Sequence, residues 1–300
     1  MRIVRRLAVG GAVTGLLAAG LITATGADAR AAQAAPVRAD RAASRPAGVA
    51  APWAELANAV SGAVLWSRAS AAERPMGSIT KVMTAYVVIE AGHLNRVITV
   101  PQGIIGYDRE FDASTAGLHP GEKLTALQLL YAMMLPSGCD AAYTLASGYG
   151  PGLAAFIGKM NATAKRLGLT KTHFSDFSGL PDPGQYTTYS TARDLVSLGR
   201  DAMRLALFRQ IVTTRSFAVT ATRGHRAHSW RNLNLLLARY PGAVGIKTGF
   251  TAAAGECLLF EARRGGRTLI GVVLHSSASD LNATFNDAAK ILNWGFTRKG

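Results

Sequence analysis

The sequence contains few cysteines, few acidic residues and few aromatic residues. Its 300 residues include 2 cysteines, which excludes a small fold built on a framework of disulfides. Only 18 Asp and Glu stand against 33 Lys and Arg, so the net charge is +15 and a polyanionic partner is expected. Aromatic residues make up 7% and form no RNA-binding signature, and no zinc-ligand cluster is present. We therefore expect no nucleic-acid partner and no metal ion.

Charged residues are also scarce, at 17%, while 49% of the chain is hydrophobic. This balance excludes a disordered chain and provides enough apolar side chains for a large core. The two cysteines are Cys139 and Cys257, and their spacing cannot establish a disulfide. We expect two free thiols, and a disulfide between them stays open as the alternative.

Only the N-terminus has an apolar run that approaches the length of a membrane span. Three arginines among the first 6 residues precede an apolar stretch over 7–23, and small residues follow at 27 and 29. This pattern predicts a secretory signal peptide over residues 1–29, with an uncleaved anchor as the alternative. A flexible linker over 30–52 and a folded domain over 53–300 are expected to follow. The location is therefore predicted to be secreted or extracytoplasmic.

The order of the predicted elements indicates an α+β fold. A strand hairpin around 57–66 comes first, and the expected helices follow at 78–92, 125–135, 141–147, 153–167, 191–203 and 205–212. Expected strands lie at 97–100, 216–220, 244–247, 257–263 and 268–275, and a helix over 282–294 closes the chain. Residues 101–123 are predicted to be a long excursion at the lip of a cleft. If both ends share one sheet, the helices between them form a lobe beside it.

The segment from Met76 to Glu90 contains the first chemical motif. Ser78 is a residue type that favours a helix start, and Lys81 follows it by one helical turn on the same face. An amine beside a hydroxyl is the arrangement that a serine nucleophile with a lysine base requires. The pattern Ser-x-x-Lys is common by chance, so a capped helix with a solvated lysine explains it equally well when it stands alone.

Two further short motifs share the polar chemistry of the first. Ser137-Gly138-Cys139 follows Pro136 in a tight connection between two helices, where a hydroxyl can project into a cleft. Lys247-Thr248-Gly249 lies in a predicted strand, where the glycine allows a ligand to approach the backbone closely. In this order the three motifs resemble those of the active-serine penicillin-recognising enzymes.

Further segments extend this resemblance over nearly the whole mature chain. They include residues 135–142, 167–180, 232–236 and 245–258. The sequence resembles the low-molecular-mass penicillin-binding proteins, the serine-type D-alanyl-D-alanine carboxypeptidases and transpeptidases of peptidase family S11. The resemblance implies a fold like that of β-lactamases and DD-peptidases, in which helices flank an antiparallel sheet and the active site lies in the cleft beside a helical lobe.

The resemblance also implies a role for each motif residue. Ser78 would attack the penultimate D-Ala carbonyl of a peptidoglycan pentapeptide stem, with Lys81 as base and Ser137 as proton relay. The substrate-binding residues would be Lys247, Thr248, Gly249, Phe250 and Cys139. Lys247 and Thr248 would hold the terminal carboxylate, and the N–H groups of Ser78 and Phe250 would form the oxyanion hole. β-Lactams would inhibit the enzyme, and no cofactor would be needed. The basic surface would contact anionic cell-wall polymers or the membrane.

Cys139 departs from the usual third residue of the second motif, which is Asn. A thiol donates and accepts hydrogen bonds more weakly than an amide. Since the family's Asn contacts the motif lysine and the substrate peptide, we expect both contacts to be weaker here. The Ser-Gly-Cys version resembles an actinomycete subgroup that favours transpeptidation, so transfer with little hydrolysis is the main alternative. Cys139 itself as nucleophile is a weaker alternative because the pair Ser78 and Lys81 is intact.

Two functions of other classes stay open at this stage. A β-lactamase would need a base that activates water, and the stretch 160–190 contains no Glu. A non-catalytic wall-binding protein on the same fold would explain Cys139 together with the basic surface. Stable labelling by penicillin that disappears in Ser78→Ala would distinguish a DD-peptidase from both alternatives.

Overall fold

The computed structural model describes residues 45–298, so the predicted signal peptide over 1–29 and residues 30–44 of the predicted linker lie outside it. The described part of the linker is bound to the folded domain. The N–H of Ala51 donates to the Asp287 carboxylate at 2.8 Å, and Arg68 donates to the carbonyl groups of Val49 and Ala51, both at 2.9 Å. The folded domain therefore begins before the predicted residue 53.

Helices and strands alternate in blocks along the chain. The strands are β1 (Trp53–Asn58), β2 (Val64–Arg68), β3 (Val97–Thr99), β4 (Lys123–Thr125), β5 (Ser216–Val219), β6 (His228–Arg231), β7 (Ala243–Gly249), β8 (Cys257–Arg264) and β9 (Arg267–Leu274). The helices are α1 (Lys81–Ala91), α2 (Ile104–Glu110), α3 (Ala126–Met134), α4 (Cys139–Tyr149), α5 (Leu153–Arg166), α6 (Ala192–Ala202), α7 (Ala206–Thr213), α8 (Leu236–Arg239) and α9 (Leu281–Phe296). A short 3-10 helix, Gly77–Thr80, leads into α1.

The main sheet is antiparallel and joins both ends of the domain, as the sequence predicts. Its strand order is β2-β1-β9-β8-β7, so the N-terminal hairpin pairs with the C-terminal strands. Residue Leu56 pairs with Gly271 across β1 and β9, and Phe260 pairs with the same glycine across β8 and β9. A β-carbon at Gly271 would lie 2.6 Å from the Phe260 ring, so only glycine fits there.

Both faces of the central strands are buried. Along β8, Leu258, Phe260 and Ala262 pack on the side of α9, while Cys257 and Leu259 pack on the side of α6 and the helical lobe. This explains why β8 appears in the sequence as a continuous apolar run rather than an alternating one. Burial of one such large side chain contributes about 1.5–3 kcal/mol, so the two cores together hold the sheet between its helical layers.

The helical lobe is organised around α1, most of whose residues are buried. Helices α3, α4, α5, α6 and α7 all contact α1, which explains why α1 is apolar on every side instead of amphipathic. The starts of α3 and α6, two helices that the sequence predicts, are both capped by threonine side chains. Thr125 and Gln128 form a reciprocal capping box, and the Thr191 hydroxyl accepts the N–H of Asp194 at 3.1 Å.

The sequence analysis missed several short elements. The predicted excursion over 101–123 contains α2 and ends at β4, and β6 and α8 were not expected. The short strands pair two by two, β3 with β4 and β5 with β6. Strands of only three or four residues leave little periodicity in the sequence. Within residues 45–298, no helix is both long enough and apolar enough to cross a membrane.

Candidate active site

Ser78 and Lys81 lie against each other at the junction of the 3-10 helix and α1. The Lys81 Nζ donates to the Ser78 Oγ at 2.8 Å. The same amine donates to the Ser178 carbonyl at 3.1 Å and contacts the Cys139 Sγ at 3.3 Å. Lys81 is fully buried, so these three groups replace the water that a solvated ammonium would have. The alternative hypothesis, a capped helix with a solvated lysine, is therefore wrong.

The start of the first helix differs from the prediction. Ser78 makes no capping hydrogen bond, because its hydroxyl accepts the Lys81 amine instead, and the α-helix proper begins at Lys81. The preceding Gly77 has φ +52, and a β-carbon there would lie 2.6 Å from the Phe250 backbone nitrogen. The tight 3-10 turn thus brings the backbone around Ser78 into direct contact with the end of β7.

Ser137 and Cys139 occupy different positions in the second motif. Ser137 lines the cleft and has a left-handed backbone with φ +66. Its hydroxyl makes no hydrogen bond within residues 45–298, while its carbonyl accepts the Ser114 hydroxyl at 2.8 Å. Cys139 is fully buried, and its N–H donates to the Ser114 carbonyl at 2.8 Å. Cys139 therefore contacts the Lys81 amine from behind the cleft surface, whereas the sequence analysis expected it to contact substrate.

The third motif forms the other wall of the cleft. Thr248, Gly249 and Phe250 line it, and Phe250 is 49% exposed. Lys247 is buried beneath them, and its Nζ donates to the Thr248 carbonyl at 3.1 Å. Burial, and then the positive charge of Lys81, hold the pKa of Lys247 well below its ordinary range. A bound anion near Lys247 would relieve this cost.

Gly249 allows the two walls to meet. A β-carbon at Gly249 would lie 2.3 Å from the Met76 carbonyl oxygen and 3.1 Å from the Ile79 nitrogen. Contacts this short with backbone atoms exclude any larger residue. The spacing of Lys247, Thr248 and Gly249 thus places β7 directly beside Ser78.

The cleft has a volume of about 450 Å³ and opens above Ser78. Apolar side chains dominate its lining, which comprises Phe111, Leu180, Pro181, Leu233, Phe250, Ala252 and Leu281. Ser78, Ser137 and Thr248 supply hydroxyl groups, and Asp112 and Glu256 supply the acidic groups. A cavity of this size with converging polar groups can hold a short peptide.

A buried network centred on Asp176 supports Lys81 from below, and the sequence analysis did not find it. The Asp176 carboxylate accepts the N–H of Ser178 at 2.7 Å and the Tyr107 hydroxyl at 2.6 Å. The Tyr107 and Ser178 hydroxyl groups also lie 2.6 Å apart. Burial, and then the Asp176 charge, raise the pKa of Tyr107, so its hydroxyl stays a donor. The network fixes the Ser178 carbonyl that accepts the Lys81 amine.

Two further acids lie close to the Lys81 charge. The fully buried Asp140 accepts the N–H groups of Ala116, Leu118 and Ala141 at 2.7–3.0 Å and thereby ties residues 116–118 to α4. Burial raises the pKa of Asp140. Burial, and then the charge of Asp140, raise the pKa of Asp108 to about 7. In both acids the charge of Lys81 acts against this rise in the pKa.

Both thiols are free and buried, as expected. Burial raises the pKa of the Cys257 thiol to about 12, which makes it an inert residue of the core. Within the described residues, no group of three His, Cys, Asp or Glu side chains could hold a metal ion.

Comparison with known proteins yields close relatives. A profile described as D-alanyl-D-alanine carboxypeptidase matches residues 39–278. A D-alanyl-D-alanine carboxypeptidase from Streptomyces sp. strain K15 is 44% identical over 247 residues, which cover 78% of this chain and 83% of the relative. One from Mycobacterium tuberculosis is 38% identical over 252 residues, which cover 84% of each chain.

A solved structure supports the same relationship. The crystal structure of the Streptomyces K15 DD-transpeptidase has 41% sequence identity and a TM-score of 0.78, and the match covers 83% of this chain and 98% of that one. These findings confirm the expected fold class and family. The chain therefore belongs to the D-alanyl-D-alanine carboxypeptidase family, the low-molecular-mass penicillin-binding proteins of peptidase family S11, and is a serine-type enzyme of that family.

Proposed function

We propose that the protein is a secreted D-Ala-D-Ala carboxypeptidase that trims peptidoglycan stem peptides through an acyl-enzyme on Ser78. The observation that carries the proposal is the 2.8 Å hydrogen bond between the Lys81 amine and the Ser78 hydroxyl at the base of a peptide-sized cleft. Within residues 45–298, Lys81 forms no ion pair with a carboxylate, and its amine contacts Ser78, Cys139 and the Ser178 carbonyl instead.

Acylation begins when the Lys81 amine acts as the base and takes the proton of Ser78. The Ser78 Oγ then attacks the penultimate D-Ala carbonyl and forms an ester, while the bond to the terminal D-Ala nitrogen breaks. The Ser137 hydroxyl, which lines the cleft beside Ser78, relays a proton to the leaving amine. Hydrolysis of the ester restores the Ser78 hydroxyl.

The wall formed by β7 orients the peptide. Lys247 and Thr248 hold the terminal carboxylate, the former by charge and the latter by its hydroxyl. The backbone N–H groups of Ser78 and Phe250 lie at the contact between the 3-10 helix and β7, where they stabilise the negative oxygen of the tetrahedral intermediate. Loss of one such donor in other enzymes costs about 3–4 kcal/mol in the transition state.

Transfer to the amine of a second peptide is the second candidate reaction. The relative from Streptomyces K15 is named a carboxypeptidase, whereas the solved structures from the same strain are named DD-transpeptidase. Both names describe the same acylation step and differ in whether water or an amine receives the acyl group. A peptide substrate with and without an added amine acceptor separates the two reactions by product analysis.

The deciding experiment is intact mass spectrometry of the folded protein during incubation with benzylpenicillin. The proposal expects one stable adduct, its absence in Ser78→Ala, and its full retention in Ser197→Ala, which removes an exposed hydroxyl on α6. An adduct that turns over within seconds and releases penicilloate would indicate a β-lactamase. No adduct in the native protein would favour the non-catalytic wall-binding protein.

The location and further partners rest on charge and on the N-terminal segment. A net charge of +15 fits electrostatic contact with anionic cell-wall polymers or with the outer face of the plasma membrane. Such contact weakens with salt because exposed charges are screened within about 8 Å at physiological ionic strength. Retention on purified cell walls at rising salt concentration tests this contact separately from catalysis.

A further inference from the structure

Glu256 lines the cleft above Ser78, yet nothing in the described chain pairs with its carboxylate. The residue is only 8% exposed. No hydrogen bond or ion pair within residues 45–298 reaches its side chain, although its backbone is fully engaged. Carboxylates of mostly buried residues are normally paired, and burial followed by the nearby charge of Asp280 raises the pKa of Glu256. The cleft therefore contains an acid that lacks a positively charged partner.

The backbone fixes where this carboxylate lies. The Glu256 N–H donates to the Ser277 carbonyl at 2.8 Å, and its carbonyl accepts the Ser276 N–H at 2.9 Å. The preceding Gly255 donates to the Thr251 carbonyl at 2.9 Å. Glu256 thus stands on a braced segment at the start of β8, so its carboxylate is presented to the cleft by a rigid support.

The strand register shows which part of a bound peptide Glu256 faces. Gly249 pairs with Cys257 across β7 and β8, so Glu256 stands opposite Phe250 at the end of the ladder. In the proposed function the terminal carboxylate lies at Thr248 and the reacting carbonyl near the Phe250 N–H. The direction from Thr248 past Phe250 therefore leads away from the carboxylate, toward the residue that precedes D-Ala-D-Ala. Glu256 lies on that side.

The surroundings of Glu256 suit a side chain with a long apolar stem. Phe250, Ala252 and Leu281 line the cleft together with Glu256. Methylene groups can pack on these side chains while a terminal ammonium reaches the carboxylate. A hydrogen-bonded ion pair would satisfy the acid that the protein leaves without a partner.

We propose that Glu256 binds the side-chain ammonium of a diamino acid that directly precedes D-Ala-D-Ala in the stem peptide. The proposal rests on the proposed function, because the peptide direction follows from the roles of Ser78 and Thr248. It makes Glu256 a specificity-determining residue of the donor site. A neutral side chain at the same peptide position would leave the Glu256 carboxylate without an ion-pair partner.

The test compares two peptides that differ in one positive charge. Nα-Acetyl-L-Lys-D-Ala-D-Ala has a free ε-amine, and the Nα,Nε-diacetyl peptide does not. Release of D-Ala gives kcat/KM for each. The native enzyme should prefer the free amine by about tenfold or more, since hydrogen bonds between charged groups are among the stronger ones. Glu256→Gln should reduce that ratio to within about twofold of unity, and the ratio is unaffected by a general loss of activity.

Asp112→Asn is the matched control, because Asp112 also lines the cleft but is exposed to water. Screening by solvent should leave its effect on the ratio below about twofold. An equal loss in both variants would mean that the general charge of the cleft causes the preference, and the assignment to Glu256 would be wrong. No preference in the native enzyme, or a preference retained in Glu256→Gln, would also overturn it. So would a change confined to the partition between hydrolysis and transfer, which would place the acceptor amine at Glu256.

Binding without chemistry separates this proposal from the proposed function. In Ser78→Ala, calorimetry with the two peptides should show the same preference for the free amine, and adding Glu256→Gln should remove it. If the native protein releases no D-Ala and forms no penicillin adduct, the proposed function fails, while the affinity ratio still decides the role of Glu256. Equal affinities of Ser78→Ala for both peptides would refute that role.

Discussion

Replacing Asp176 with alanine removes the acceptor at the centre of the buried network beneath the cleft. Asp176 is 1% exposed and accepts the N–H groups of Ser178, Gly179 and Leu180, together with two hydroxyl groups. Leu180 is half-buried and can turn to water, and the Tyr107 hydroxyl retains a hydroxyl partner. Two buried N–H groups are left unsatisfied at about 1–3 kcal/mol each. With one water entering the space, we expect a loss of about 3 kcal/mol in the free energy of unfolding.

The same substitution should slow acylation of Ser78. The Ser178 carbonyl accepts the Lys81 amine at 3.1 Å, and Asp176 holds the backbone N–H of the same residue. A displaced carbonyl would cost Lys81 a charged hydrogen bond, which typically contributes about 1.5–3 kcal/mol. The rate of penicillin acylation should therefore fall by about 10- to 100-fold under conditions in which the variant is still folded.

Urea unfolding and stopped-flow acylation measure the two effects separately. Asp176→Asn keeps one carbonyl oxygen for the N–H groups and should lose less stability than Asp176→Ala. Asp201→Asn, at an ion pair between the half-buried Asp201 of α6 and the exposed Arg204, is the matched charge control and should change stability by less than about 0.5–1 kcal/mol. If Asp176→Ala kept both its stability within about 1 kcal/mol and its acylation rate within about twofold, the supporting role of the network would be refuted.

Three further predictions follow from the packing of the site. Gly249→Ala places a methyl group 2.3 Å from the Met76 carbonyl oxygen, so penicillin labelling should fall at least about 100-fold, and labelling at the native rate would contradict the contact. Lys247→Met should raise the melting temperature near pH 7 while weakening binding of D-Ala-D-Ala peptides. The lowered pKa of Lys247 means that its stability contribution is complete only above its unfolded pKa of about 10.5 and is lost as pH falls. Cys139 and Cys257 should react with a thiol reagent only after unfolding, and rapid modification of the native protein would show that they are accessible.

The sequence shows the three motifs and predicts the elements around them where the local signal is clear. The strands of the C-terminal half, for example, are apolar runs bounded by glycine or charge. The resemblance to the penicillin-binding proteins implied that the motifs meet in one cleft, since local spacing does not determine how β7 lies against the turn at Ser78. In the structure, Gly249 at the end of β7 lies against the backbone next to Ser78.

The sequence does not predict the groups that hold Lys81. Ser178 contributes a backbone carbonyl, which every residue has, and Asp176 lies in a stretch without periodicity. Tyr107 lies in α2, a short helix within a segment that resembles a loop. Their roles arise from contacts across about 70 to 100 positions of sequence, and no local pattern carries that information. Polar residues concentrated before Gly179 are the only sequence signal that could have indicated a buried turn.

The surroundings of Lys81 explain how the site can contain Cys139 in place of an amide. The sulfur lies 3.3 Å from the amine and accepts a hydrogen bond only weakly, so it contributes less than an amide oxygen would. Lys81 nevertheless has the Ser78 hydroxyl and the braced Ser178 carbonyl as strong partners. Its position beside the nucleophile therefore depends mainly on the 3-10 turn and the Asp176 network. We accordingly expect the residue at position 139 to influence how the second motif is held more than whether Ser78 can be acylated.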